Sequence, residues 1–244
     1  MNHKLAALLA VAALAVHSPQ NAAADEAATA PAAKIDVPAG TYTLEKAHAS
    51  LVFRLNHLGF SNYTAQFTKF DAKLQFDPAN PGAAAITVTV DPRSLELVNP
   101  PPGFTAELLG EHWLDTARFP EITYRSTGVD VTGPRTMRIH GTLTLHGVTR
   151  PVDLEATFNG GYAGHPMDPH ARIGFSAHGT FKRSEFGIAF GIPAPGTTMG
   201  VSDEVQTFIE TEFSGPAWQG AATQPSAAEK APSKAPSKAP SKVK

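Results

Sequence analysis

Ala49-Ser50-Leu51-Val52-Phe53-Arg54-Leu55-Asn56-His57 alternates with period two, with Leu51, Phe53, Leu55 and His57 on one face and Ser50, Arg54 and Asn56 on the other. Successive side chains of a strand point to opposite faces, so this is the pattern of a half-buried β-strand. The same period continues outward. Phe70, Ala72, Leu74 and Phe76 oppose Asp71, Lys73 and Gln75 until Asp77-Pro78 stops the strand and Asn80-Pro81-Gly82 turns it. Ile86, Val88 and Val90 alternate up to Asp91-Pro92. Further strands are predicted over 121–131, 136–145, 148–158, 171–182 and 205–213, with Thr132-Gly133-Pro134 and His146-Gly147 as separators. Only the stretch 104–114 breaks the rule: Phe104, Glu107, Leu108, Glu111 and Leu114 stand at helical spacing after Pro100-Pro101-Pro102-Gly103, which predicts a short helix. No helix is long enough to be a crossover between parallel strands, so the sheet is expected to be antiparallel.

About eight such strands must protect their edges by closing into a barrel or stacking as a sandwich. Periodicity alone leaves both open. Large inward residues mixed with Ala and Gly favour closure, since an eight-stranded barrel is just filled by side chains or holds one ligand.

The chain has 244 residues, 20 Lys+Arg against 22 Asp+Glu, 42% apolar residues and no cysteine. Near-neutral charge argues against a nucleic-acid protein. Lack of cysteine excludes disulfides, thiol nucleophiles, cysteine-ligated metal and a lipid-modified N-terminal cysteine. Residues 1–24 read as a secretory signal, with an apolar run over 5–16 and Ala22-Ala23-Ala24 as the cleavage region. A linker is expected over 25–40 and the folded body over 41–213. A disordered tail over 214–244 repeats Ala-Pro-Ser-Lys three times from Ala231. Five lysines against Glu229 make residues 220–244 basic, so the tail could touch an anionic membrane surface or serve only as a solubilising spacer.

Several stretches resemble the YceI-like family, lipocalin-like proteins of the bacterial periplasm. Tyr42-Thr43-Leu44-Glu45-Lys46-Ala47-His48 with Asn56-His57-Leu58-Gly59-Phe60-Ser61 is similar to that family's opening. So, in order, are residues 67–76, His112-Trp113-Leu114-Asp115, Arg118-Phe119-Pro120-Glu121, Gly141-Thr142-Leu143-Thr144-Leu145-His146-Gly147 and Lys182-Arg183-Ser184-Glu185-Phe186-Gly187. Residues 201–213 resemble its final strand. The resemblance implies an all-β fold: a lipocalin-like extended antiparallel barrel of about eight strands with one short helix. It also implies a deep apolar tunnel for a long isoprenoid lipid, a polyprenyl compound or quinone, and often a homodimer. Two departures bear on the mouth or wall. Gly103-Phe104-Thr105-Ala106-Glu107 replaces the usual Arg-Asp-x-His run, and Trp113-Leu114 stands where two aromatics are common.

A lipid tunnel needs a dry lining and one or two polar groups for the head. The expected ligand-binding residues are Phe53, Leu55, His57, Phe67, Trp113, Phe119, Tyr124, Phe175, Phe181 and Phe186. Trp113 and Tyr124 have polar handles, and His57 lies on the apolar parity of its strand, where it would either meet a head group or be a satisfied structural histidine. Arg183 is read as an anchor either of barrel-end geometry, the favoured use, or of a phosphate. No metal or cofactor is expected. His140 and His146 are too far apart on one strand to chelate together, and His165, Asp168 and His170 lie in a proline-rich loop. No nucleophile–base pair or catalytic motif is present, so the expected class is a non-enzymatic periplasmic lipid binder. The alternatives are a binder of another apolar molecule or pigment, and a structural barrel without ligand.

Overall fold

In the computed structural model, which describes residues 36–222, the alternating segments form one antiparallel sheet. Its strands are β1 (Gly40–Leu44), β2 (Ser50–His57), β3 (Ser61–Phe67), β4 (Phe70–Phe76), β5 (Ala85–Val90) and β6 (Leu95–Leu97). They continue as β7 (Ile122–Val131), β8 (Thr136–Leu145), β9 (Val148–Pro151), β10 (Leu154–Tyr162), β11 (His170–Lys182) and β12 (Glu204–Ala217). Eight of them close a ring in the order β1-β4-β5-β7-β8-β10-β11-β12, sealed by the pairing of β1 with β12. The choice between sandwich and barrel is thus resolved as a barrel.

The long strand β12 carries the key to the architecture. Its 14 residues span about 45 Å at the usual rise, enough for two partners in series. Near its end, Phe213 and Ser214 pair with β1, while Gln206–Glu210 pair with β2. From β2 the sheet continues through β3 to β6. The barrel is therefore narrow where β1 closes it and splays where β2, β3 and β6 take over.

The narrow end is packed solid. Tyr42, Leu44, Leu74, Phe76, Phe158, Ile173 and Phe213 are buried together there. Phe175 sits among them, with ring centroids 5.5 Å from Phe158 and 6.3 Å from Phe76. The Tyr42 hydroxyl donates to the Pro38 carbonyl at 2.6 Å, and burial pushes its pKa up to about 12. Its ring lies directly over Gly215, where any Cβ would collide with it.

Some boundaries differ from the sequence reading. The predicted 25–40 linker gives way before its end, because Val37 is buried in the narrow-end core. At the other terminus β12 runs to Ala217 rather than stopping at 213, and the Trp218 amide donates to the Pro169 carbonyl. A 3-10 turn over Gln219–Ala222 follows, and the predicted tail beyond residue 222 and the predicted signal lie outside the described residues. The stretch 148–158 is two strands, parted at Val152-Asp153. Strands β1, β3 and β6 escaped the alternation test, β3 because Ser61–Phe67 is largely polar and β6 because it has three residues. The helix α1 covers only Phe104–Leu108. After it come tight turns, with the Trp113 and Asp115 amides both donating to the Gly110 carbonyl.

Two hairpin turns place backbone in the left-handed region. Leu58 and Gly59 between β2 and β3, and His146 and Gly147 between β8 and β9, all have positive φ. Positive φ at both central residues matches the right-handed twist of the strands the turns join.

Candidate functional site: an apolar cavity in the splayed half of the barrel

Where the barrel splays, side chains no longer meet across the middle. A cavity of about 540 Å³ opens there, within the range of roughly 300–1,000 Å³ usual for small-molecule sites. One wall is Leu51, Phe53 and Leu55 of β2 with Ala65 and Phe67 of β3; facing it are Val88 and Val90 of β5, Tyr124 of β7 and Leu143 and Leu145 of β8. Val205, Thr207 and Ile209 of β12, with Phe181 at the end of β11, complete the barrel lining. Phe104 and Leu108 of α1 cover the side, together with Trp113 and Leu114. The lining runs from buried Val90, Tyr124, Leu145 and Val152 to exposed His57, Asn99 and Pro101, so the cavity opens to solvent at the latter end.

The polar atoms in this lining are mostly engaged elsewhere. The Tyr124 hydroxyl donates to the Val152 carbonyl at 3.1 Å, and burial followed by the nearby Asp153 charge raises its pKa. Tyr63 donates to the Val98 carbonyl at 3.2 Å. Arg183 is only 3% exposed, and its guanidinium donates to four backbone carbonyls: Ser202, Ile188, Phe190 and Val201, at 2.8–3.0 Å. Burial lowers its pKa. Its charge lies 5.0 Å from the Trp113 ring, within the reach of a cation–π contact. Among the described residues, Trp113 Nε1 is buried without a hydrogen-bond partner. The interior is therefore largely a hydrocarbon surface, in which the unpartnered Trp113 N–H is a donor open to a ligand, and the exposed polar side chains His57 and Asn99 stand at the opening. Such a space takes up an apolar chain and leaves its polar end outside.

Of the residues singled out from sequence, Phe53, Leu55, His57, Phe67, Trp113, Tyr124 and Phe181 line the cavity. Three do not, and each has a physical reason. Phe175 shares parity with Phe181 but lies six residues back along β11, inside the filled core. Phe186 is fully buried behind the wall, edge-on to Phe181 at 5.4 Å. Phe119 packs on the His146 ring at 4.6 Å and over Gly147, outside the barrel. His57 is exposed at the rim, its backbone pairing with Ser61 and bridging to Val201. The aliphatic lining residues Leu143, Leu145, Val205 and Ile209 are not among the residues expected from sequence, which are mostly aromatic; their strand parity was the available signal.

Two of the histidines weighed as metal ligands are engaged elsewhere. His140 lies between Asp130 and Asp153, 3.0 Å from each. His146 Nδ1 is 3.1 Å from the Phe186 carbonyl. Asp168 accepts from Tyr162 and pairs with Arg172. Among the described residues no group of three His, Asp or Glu side chains comes together as a metal site would require.

This architecture recurs in known proteins. A UPF0312 protein of Shewanella oneidensis is 36% identical over 160 residues, covering 64% of this chain and 81% of the relative. A UPF0312 protein of Pseudomonas syringae pv. tomato is 35% identical over 180 residues, covering 70% and 85%. Among solved structures, the Campylobacter jejuni YceI protein superposes with a TM-score of 0.54 at 27% identity, over 65% of this chain and 88% of the other. Burkholderia cenocepacia BcnA gives 0.58 at 24% identity, over 69% and 98%. A polyisoprenoid-binding domain from Saccharophagus degradans, implicated in plant cell wall breakdown, gives 0.53 at 14% identity, over 73% and 99%, a likeness of fold. The YceI-like domain matches residues 42–213, and the chain accordingly belongs to the YceI-like family.

Proposed function

We propose that this protein binds a long-chain isoprenoid lipid, a polyprenyl compound or a prenylated quinone, with its tail in the cavity and its head at the opening beside His57 and Asn99. The observation that carries the reading is the largely apolar cavity of about 540 Å³, in whose lining Tyr124, Tyr63 and Arg183 are turned onto backbone carbonyls. Burial at about 25 cal/mol per Å² of apolar surface is ample for micromolar binding after ordering costs. A domain of the same fold that binds polyisoprenoids, the one from Saccharophagus degradans, agrees with this ligand class. The role is carriage, storage or scavenging rather than catalysis, in the periplasm after removal of residues 1–24; the apolar run over 5–16 is what supports export. Pairing of two copies and contact of the lysine-rich tail with an anionic surface belong to the same proposal.

The test uses Trp113 as reporter in a Trp218→Phe background, since the chain has two tryptophans and Trp113 is the one that lines the cavity. A quinone with a long prenyl tail is expected to quench Trp113 saturably, while the tail-less quinone at equal concentration does not. Phe53→Arg, which places a charge on the wall, abolishes the effect. Equal quenching by both quinones, or a folded Phe53→Arg protein that binds as before, contradicts the assignment.

A further inference from the structure

The opening of the cavity is ringed by apolar side chains standing in solvent. Phe60 is 82% exposed, Met199 72%, Val98 65% and Phe190 50%. They come from separate parts of the chain but are tied into one rim. The Leu58 amide donates to the Gly200 carbonyl at 2.8 Å, and Thr198 packs on Gly59, which sets the β2–β3 turn with Phe60 beside the loop bearing Met199. The Val201 amide donates to the Gly191 carbonyl at 2.8 Å, and the Phe190 ring lies 5.6 Å from that of Trp113. Tyr63 holds the Val98 carbonyl from the other side.

Charge is absent from the same rim. Residues 55–63, 97–106 and 190–202 frame the opening and contain no Asp, Glu, Lys or Arg, where the 17% charged fraction of the whole chain would place several. Soluble surfaces carry single apolar residues without consequence, but a contiguous uncharged rim with large protruding side chains marks an interaction site. We propose that this rim docks on the surface of a neutral lipid bilayer, with Phe60, Met199, Val98 and Phe190 entering the headgroup layer and the cavity opening toward the acyl chains.

The proposal rests on the long-tail reading of the cavity. A second copy seated on the rim would close the opening, whereas a bilayer keeps it facing the phase in which long-tailed lipids reside. Removing charge from such a surface avoids the desolvation of ionised groups, and each large apolar side chain that leaves water contributes favourably. Exposed Glu107 and Glu111, just beyond the rim on the α1 side, favour a zwitterionic over an anionic headgroup layer.

The experiment is flotation of the full chain with pure phosphatidylcholine vesicles at about 1 M salt, where a Debye length of about 3 Å suppresses any contribution from the basic tail. The wild-type protein is expected to float. Phe60→Asp combined with Met199→Asp is expected to lower the partition coefficient by at least about a hundredfold. Neither side chain lines the cavity, so the Trp113 quenching titration is expected to be unchanged, which also certifies the fold of the variant. Wild-type protein that stays at the bottom of the gradient, or a double variant that floats as well as wild type, overturns the proposal. So does a wild-type dimer in sedimentation that the two substitutions dissociate, since the rim would then cover a second copy. Flotation by wild type with no quenching by long-tailed lipid supports docking and overturns the cavity reading instead.

Discussion

Replacing Arg183 with methionine removes a side chain that ties the loop over 188–202 to the residue after the end of β11. Its guanidinium donates to the Ile188, Phe190, Val201 and Ser202 carbonyls, so the substitution abandons four acceptors in a buried setting. At about 1 kcal/mol for each abandoned acceptor, the low end for buried polar groups, the gross loss is about 4 kcal/mol. Loss of the cation–π contact with Trp113 adds to this. Release of a buried cation with no carboxylate in direct contact returns part of it, leaving a net loss of about 3 kcal/mol. For a domain of this size that corresponds to a fall in Tm of about 6–12 °C. Lysine keeps the charge but cannot fork onto four carbonyls, so Arg183→Lys is expected between the two. Hydrogen exchange locates the effect. The Leu58, Val201 and Ser202 amides, which bond to the Gly200, Gly191 and Asn56 carbonyls, are expected to lose protection first, while narrow-end amides keep theirs. An Arg183→Met protein with unchanged Tm and unchanged exchange at those three amides would refute the view that Arg183 builds the rim.

Other perturbations probe the division of the barrel into filled and hollow halves. Phe158→Ala, in the filled half, should cost about 3–5 kcal/mol in urea unfolding, whereas Phe53→Ala, whose ring already faces empty space, should cost about 1–2 kcal/mol; equal losses in lipid-free protein would contradict the division. Gly215→Ala drives a Cβ into the Tyr42 ring, and a loss of about 2 kcal/mol is expected; a neutral result would mean that the ring has room to move. His140 is held between two carboxylates, which raise its pKa above the ordinary 6.5 through hydrogen bonds to Asp130 and then Asp153. A raised folded-state pKa stabilises fully below the unfolded value and loses that stabilisation as pH rises through the folded value. The Tm advantage of wild type over His140→Gln should therefore be larger at about pH 5.5 than at about pH 8.5, and a pH-independent difference would show that the ion pairs contribute nothing.

Alternation, with no crossover helix between strands, was enough to read an antiparallel sheet, but left barrel and sandwich open until the pairing of β1 with β12 closed the ring. It could not say how far along a strand a residue lies from the point where the barrel splays. Phe175 and Phe181 illustrate this: same strand, same parity, yet one fills the core and the other faces the cavity. What separates them is the handover from β1 to β2 along β12, a long-range pairing with no local signature. Phe119 and Phe186 failed for a different reason, since both sit in turns, where strand parity does not apply. Arg183 was legible as an anchor from its motif, but its four carbonyl partners lie on a loop that carries no periodic pattern.

The central claim, that the splayed half of the barrel holds a long-chain lipid, is tested most directly by native mass spectrometry of the protein purified from its own cellular compartment. The account predicts a complex heavier than the chain by one lipid whose mass and fragments show repeating isoprene units, and its absence from Phe53→Arg. A monodisperse wild-type protein that carries no lipid, and takes none up when offered a polyprenyl compound or a prenylated quinone, would contradict it.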